Sequence, residues 1–103
     1  MSKRKRTRKA ARESGGMVMG VAWYRREEWP KLLAAAADRG QLEDTYDEWL
    51  LSAEQLLSQL SAKGIELKKV DIDVDALIAW CRDKQLPLDG EARSRYVSEI
   101  LAR

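Results

Sequence analysis

Four carboxylates crowd one short stretch of the chain, and their spacing could support metal chemistry. They are Glu43, Asp44, Asp47 and Glu48. Residues four apart on a helix are neighbours, so all four would lie within about one and a half turns. Carboxylate oxygens are the ligands that Mg²⁺ and Mn²⁺ prefer, which makes a carboxylate-metal-dependent hydrolase one hypothesis. We favour the alternative that these acids offset the helix dipole and keep a solvated face.

Three further acids, Asp71, Asp73 and Asp75, alternate along the chain and could complete such a site only if the fold brought them close. Their spacing also resembles half of a calcium loop. That loop needs a Gly after the third acid, where this chain has Ala76. Asp73 precedes an apolar periodic segment, so helix capping explains it better. We therefore predict no metal and no cofactor.

The chain has no His and a single Cys, Cys81. The absence of His removes the Ser-His and Cys-His nucleophile pairs and the usual zinc ligand. One Cys excludes an intramolecular disulfide and fits a cytoplasmic protein. Only Arg82 or Lys84 could lower its pKa, so we interpret Cys81 as a small buried hydrophobe. These features argue against an enzyme.

Aromatic residues are the strongest candidates for binding, since the chain has four Trp and three Tyr but no Phe. Most of them must fill the core of so small a domain. Trp and Tyr are also favoured anchors at protein interfaces. We therefore predict a small, non-catalytic cytoplasmic module that binds another protein, of unspecified identity and oligomeric state. The candidate contact residues are Trp23, Tyr24, Trp29 and Trp49.

Residues 1–16 form a basic arm without apolar periodicity, which predicts disorder before a single compact domain over 17–103. Seven Lys/Arg against Glu13 give the first thirteen residues a charge of +6, so the rest of the chain carries −4. Three interpretations stay open: a solvated tail, association with nucleic-acid phosphates, or an over-extended start upstream of Met17 or Met19. The candidate nucleic-acid contacts are Lys3, Arg4, Lys5, Arg6, Arg8, Lys9 and Arg12.

One long helix over 41–63 is predicted to organise the domain, because its apolar residues form a single stripe. The stripe consists of Leu42, Tyr46, Trp49, Leu50, Ala53, Leu56, Leu57 and Leu60. Gly64 followed by Ile65 predicts a Schellman turn at its end. We expect the other segments to pack onto this stripe.

Five shorter elements are predicted around this helix. Asp73 is expected to cap the third helix, with Ile72 and Leu77 as a hydrophobic staple, and Asp89 to cap the last. A tight turn would make the first helix the antiparallel neighbour of the long one. The two strands should pair, with a bulge or twist near Lys68-Lys69. The predicted ranges are helices over 27–39, 74–85 and from 89 onward, and strands over 19–25 and 65–71.

The predicted fold class is therefore α+β and mostly helical, with four helices around a long central helix and at most two short strands. No apolar run approaches the roughly 20 residues that a membrane helix needs, so no membrane partner is expected.

Several short motifs make the chain similar to a group of small bacterial proteins without assigned activity. The resemblance covers Met17 to Arg103 and implies a compact bacterial cytoplasmic protein. It supplies no catalytic residues. The motifs are Trp23-Tyr24, Trp29, Asp44-Thr45-Tyr46-Asp47-Glu48-Trp49, Val70-Asp71-Ile72-Asp73, Trp80-Cys81 and Asp89-Gly90-Glu91-Ala92-Arg93.

Overall fold

A computed structural model describes residues 18–103. Within this range the chain forms two strands and four α-helices, and short 3-10 turns at Arg26–Glu28 and Arg39–Gln41 flank the first helix. This confirms the predicted α+β, mostly helical fold class. The predicted arm, residues 1–16, lies outside the described residues. The elements are β1 (Val18–Trp23), α1 (Trp29–Ala35), α2 (Tyr46–Ala62), β2 (Glu66–Asp71), α3 (Val74–Lys84) and α4 (Gly90–Leu101).

The two strands pair with each other, as predicted, and they run parallel. The register is continuous from Val18 opposite Glu66 to Trp23 opposite Asp71, so the bulge, one of the two alternatives predicted near Lys68-Lys69, is absent. Parallel neighbours cannot be joined by a hairpin, because the chain must return to the starting end of the first strand. Both α1 and α2 lie in that return segment.

The long helix begins at Tyr46, so the predicted start at Gln41 is wrong. Thr45 caps it: the Thr45 hydroxyl accepts the Glu48 backbone N–H at 3.1 Å, and a Glu48 carboxylate oxygen accepts the Thr45 N–H at 3.2 Å. This reciprocal capping box holds Thr45 in extended backbone, which excludes a helix running through it.

The end of α2 is the predicted Schellman turn. Gly64 adopts φ +84°, a left-handed conformation that costs glycine little. The Ile65 N–H donates to the Leu60 carbonyl at 3.2 Å and the Gly64 N–H donates to the Ser61 carbonyl at 3.0 Å. These two bonds satisfy carbonyls that the helix end leaves without intrahelical partners.

The buried core lies mainly away from the apolar stripe of α2, contrary to expectation. Ala53 is the one buried residue of that helix, and Leu56 is 45% exposed. Tyr46, Trp49 and Leu60 are half-buried. The core instead joins α1, α3, α4 and the strands through Tyr24, Trp29, Leu32, Val70, Ile72, Val74, Leu77, Cys81, Leu88, Ala92, Tyr96 and Val97.

The first helix is shorter than the predicted 27–39, because a tertiary contact ends it. Ala36 is extended, and the Ala37 N–H donates to the Leu88 carbonyl at 2.8 Å. Residues 36–45 then separate α1 from α2, so the predicted tight turn is also wrong.

The start of α3 combines a predicted cap with one from a distant residue. Asp73 accepts the Ala76 N–H at 3.2 Å, which confirms the predicted cap. The carboxylate of Glu28, a buried residue, accepts the Val74 N–H at 2.7 Å. The ammonium of Lys31 lies 3.4 Å from the same carboxylate. Glu28 therefore ties the α1 region to α3.

The last helix packs across β1 at its glycine. Asp89 caps α4 by accepting the Ala92 N–H at 3.0 Å, as predicted. A Cβ on Gly20 would overlap the Leu101 side chain and approach the Val97 Cγ1 to 2.8 Å. The helix α4 can approach β1 this closely only because Gly20 has no side chain.

Across residues 18–103, none of the helices combines the length and apolar character required to cross a bilayer.

Replacing Gly20 by Ala should destabilise the domain by about 1–3 kcal/mol, because the added methyl overpacks the contact with Val97 and Leu101. Gly40→Ala is the matched control, since nothing lies within 4 Å of a Cβ built there. Urea denaturation measures both free energies of unfolding. Equal effects at the two positions would contradict the close packing of α4 on β1.

Glu28→Ala should cost about 1–3 kcal/mol, because it leaves the buried Val74 N–H without an acceptor. Glu28→Gln retains an amide oxygen that can accept this bond, so we expect it to cost less. Glu27→Ala, at an exposed neighbouring position, serves as the control for thermal and urea unfolding. A Gln variant as unstable as the Ala variant would show that the cap is not what Glu28 supplies.

Candidate functional site

An aromatic cluster forms around Trp49. Its ring centroid lies 5.2 Å from that of Trp23, 5.3 Å from Tyr24, 5.4 Å from Trp29 and 5.4 Å from Tyr46. Offset and edge-on pairs at these distances favour association beyond area burial alone. The structure thus brings together the four aromatic residues that the sequence singled out. They come from β1, the segment after it, α1 and α2.

The members of this cluster differ in exposure. Tyr24 and Trp29 are buried, so their side chains serve the core. Trp23 and Trp49 are half-buried, and the Lys69 ammonium lies 4.3 Å from the Trp23 ring centroid. A partner in contact with the unaltered surface would therefore reach Trp23 and Trp49 first.

A cleft of about 860 Å³ opens beside this cluster, along β1. One wall is α4, through Val97, Ser98 and Leu101, and the other carries Leu42 and Trp49. The buried side chains of Tyr24, Trp29 and Leu32 also line it. The volume lies in the range of small-molecule binding sites, and most of the lining is apolar.

The edge of β1 that lines this cleft carries backbone groups without a strand partner. The Ile72 N–H donates to the Trp23 carbonyl at 3.0 Å, so the backbone groups of Trp23 face β2. Because successive residues of a strand direct these groups to opposite edges, Val18, Gly20 and Ala22 direct theirs away from β2. The described sheet contains only β1 and β2, so this edge is open.

Trp29 lines the cleft, but its indole N–H is buried. Trp29 is 2% exposed, and its Nε1 has no acceptor among the residues that the structure describes. Burying an N–H without a hydrogen bond costs about 1–3 kcal/mol. Trp80, by contrast, donates its indole N–H to Glu99 at 3.2 Å.

One charged side chain, Arg93, lines the cleft, and Asp38 neutralises it. Two guanidinium nitrogens of Arg93 donate to the two Asp38 carboxylate oxygens at 2.9 and 2.8 Å. Both side chains are only 15% exposed. The hydrogen bonds from Arg93 lower the pKa of Asp38 below its ordinary value. The cleft therefore carries no uncompensated charge from its described lining.

Tyr24 lies beside this ion pair. Burial raises the pKa of its phenol to about 12, with Arg93 acting in the opposite direction. Its backbone carbonyl accepts the Tyr46 hydroxyl at 2.9 Å. A phenol that remains protonated at neutral pH can donate a hydrogen bond but cannot act as a base.

The structure disperses the four carboxylates near the start of α2. Because the helix starts at Tyr46, Glu43 and Asp44 lie outside it and the expected one-faced array does not form. Asp44 pairs with Arg39 at 3.0 Å and Asp47 pairs with Arg26 at 2.8 Å. Glu48 serves in the capping box.

The alternating aspartates are dispersed in the same way. Asp71 lies 3.3 Å from Arg25, Asp73 caps α3, and Asp75 pairs with Lys31 at 3.1 Å. Across residues 18–103, no three acidic or cysteine side chains converge as metal ligands would.

Cys81 is buried, as predicted, and desolvation raises the pKa of its thiol. The seven candidate nucleic-acid contacts, Lys3 to Arg12, lie outside the described residues.

Sequence reasoning missed Arg93 and the open strand edge. Arg93 and Asp38 are 55 residues apart, and no local pattern links them. The edge depends on strand direction, which periodicity does not give. The Thr45-x-x-Glu48 spacing, however, is a recognisable capping-box signal that would have placed the start of α2.

Comparison with protein families, curated proteins and solved structures found no match to this chain. The resemblance to small bacterial proteins thus gains no support from it.

Breaking the Asp38–Arg93 pair should strongly destabilise the domain. Arg93→Met leaves a nearly buried carboxylate unpaired, and we expect a loss of about 3 kcal/mol or more in urea denaturation at neutral pH. The double variant Asp38→Asn/Arg93→Met removes both charges and should recover part of this loss.

The pair should also shape the response to acid. A carboxyl whose folded pKa is lowered adds stability above its unfolded pKa of 3.8 and loses it as pH falls through the folded value. The advantage of the wild type over the double variant should therefore shrink as the pH falls below about 5. A constant difference across this range would contradict the pairing.

Proposed function

We propose that this domain is a non-catalytic protein-binding module that holds an extended segment of another protein in the cleft between α4 and the Leu42–Trp49 wall. The observation that carries this proposal is an apolar cleft running along an open strand edge. Proteins usually bind ligands in concave, mostly apolar sites of this size.

Three of the four aromatic candidates, Tyr24, Trp29 and Trp49, line this cleft. Trp49 is the member that a partner would contact directly, since the other two are buried. Trp and Tyr anchors at the centre of an interface carry a disproportionate share of binding energy. Trp49 would therefore be the aromatic anchor of the interface, with Tyr24 and Trp29 packed behind it.

The chemistry of the chain favours binding over catalysis. It has no His, and burial raises the pKa of its single thiol, which disfavours the nucleophilic thiolate. The acids near α2 are engaged in ion pairs and a helix cap. We place this binding in the cytoplasm, where a lone unpaired cysteine is compatible with the reducing conditions.

Selection from a displayed library of random peptides tests the proposal without knowledge of the partner. We expect a set of apolar peptides whose affinity falls at least tenfold for the variant Ser98→Trp. Ser98 is exposed on the cleft wall, so an indole there fills the cleft without entering the core.

Ser52→Trp is the matched control, because Ser52 is exposed on α2 and does not line the cleft. This variant should retain the affinity of the wild type, and thermal unfolding should show both variants folded. Failure to select any peptide that distinguishes Ser98→Trp from Ser52→Trp would refute the cleft as a binding site.

A further inference from the structure

We infer that the segment bound in the cleft adds to β1 as a third strand, with an uncharged apolar stretch in the cleft. This inference rests on the proposed function and specifies the chemistry of the partner. Its basis is the combination of an open strand edge among residues 18–103 and a cleft lining without an uncompensated charge.

The open edge supplies the pairing groups. Val18, Gly20 and Ala22 direct their N–H and C=O groups away from β2, and all three line the cleft. An extended segment beside them would form main-chain hydrogen bonds along the six residues of β1. Such a third strand also suits the sheet, since two strands alone form a marginal one.

The same backbone groups favour a peptide over a lipid chain. An entirely apolar ligand offers no donor or acceptor to the N–H and C=O groups of Val18, Gly20 and Ala22.

Charge complementarity defines the segment itself. The one charged side chain on the described lining, Arg93, is already paired with Asp38, so a charge inserted there would lose water without gaining a counterion. The inserted stretch is therefore uncharged.

A second copy of this chain is a poorer occupant. A symmetric dimer requires a surface patch complementary to itself, and two concave clefts cannot fill each other. A slim segment in extended conformation, with side chains alternating between α4 and Trp49, fits between the two walls.

An N-methyl scan of a selected peptide tests strand addition directly. Methylation removes one backbone N–H at a time, and a paired strand uses every second one. We expect at least tenfold losses of affinity at alternate positions and little change between them. A loss without this period of two would overturn the inference while leaving the proposed function intact.

Amide exchange gives the matching readout on the protein. On addition of the peptide, the Gly20 and Ala22 amides should gain protection, whereas Val21, paired with β2, is protected throughout. Unprotected Gly20 and Ala22 amides in the complex would overturn strand addition.

Sedimentation tests whether a second copy of this chain occupies the cleft. Concentration-dependent dimerisation that Ser98→Trp abolishes would overturn the inference of a peptide partner.

Discussion

The parallel pairing of β1 with β2 is the constraint on which the rest of this structure depends. Two parallel neighbours require the chain to return along the full length of the first strand before the second begins. That return carries α1 and α2, and Trp49 of α2 packs against Trp23 at the end of β1. On the other face of the sheet, α4 approaches the strand at Gly20. Among residues 18–103, the same arrangement leaves one edge of β1 without a partner strand and places a helix on either side of it.

Charged residues in this domain mostly tie elements together. Asp47 pairs with Arg26, Asp75 with Lys31, and Asp38 with Arg93, each joining segments distant in sequence. Exposed pairs of this kind contribute little stability individually. Removing one partner of the nearly buried Asp38–Arg93 pair costs more stability, because the other would remain as an uncompensated charge. Spacing along the sequence made the acids resemble a metal site. In the folded domain, Arg and Lys side chains pair with several of these acids, which explains why the acids do not converge as metal ligands.

Local rules predicted those parts of the fold that local rules control. Asp73 caps α3 and Gly64 ends α2 because capping depends on residues within one turn. Tertiary contacts determine the features of the fold that local rules do not predict. The helix expected to continue to Arg39 ends at Ala35, where the Ala37 N–H pairs with Leu88 from the other end of the chain. The sequence pattern predicts that the whole apolar stripe of α2 packs into the core, yet only the first turns of that helix contact the aromatic cluster.

The candidate site was predictable in composition but not in shape. Tyr24, Trp29 and Trp49 were identified because of their residue type, and they do line one cleft. Nothing in their spacing revealed that α4 forms the facing wall. Strand direction and the distant Asp38–Arg93 pair determine that shape, and neither can be recognised in a single sequence.

The exposed second half of α2 has a consequence for how this domain comes apart. Beyond Ala53 the helix buries no residue completely, so few contacts oppose its fraying toward Lys63 and Gly64. Segments with so little buried surface open at a lower free energy than the core and are the places where proteases cut and inserted sequences are accepted. The turn at Lys63-Gly64 is thus the natural position for an affinity tag or a circular permutation. It lies outside the cleft lining, so the candidate site should remain intact.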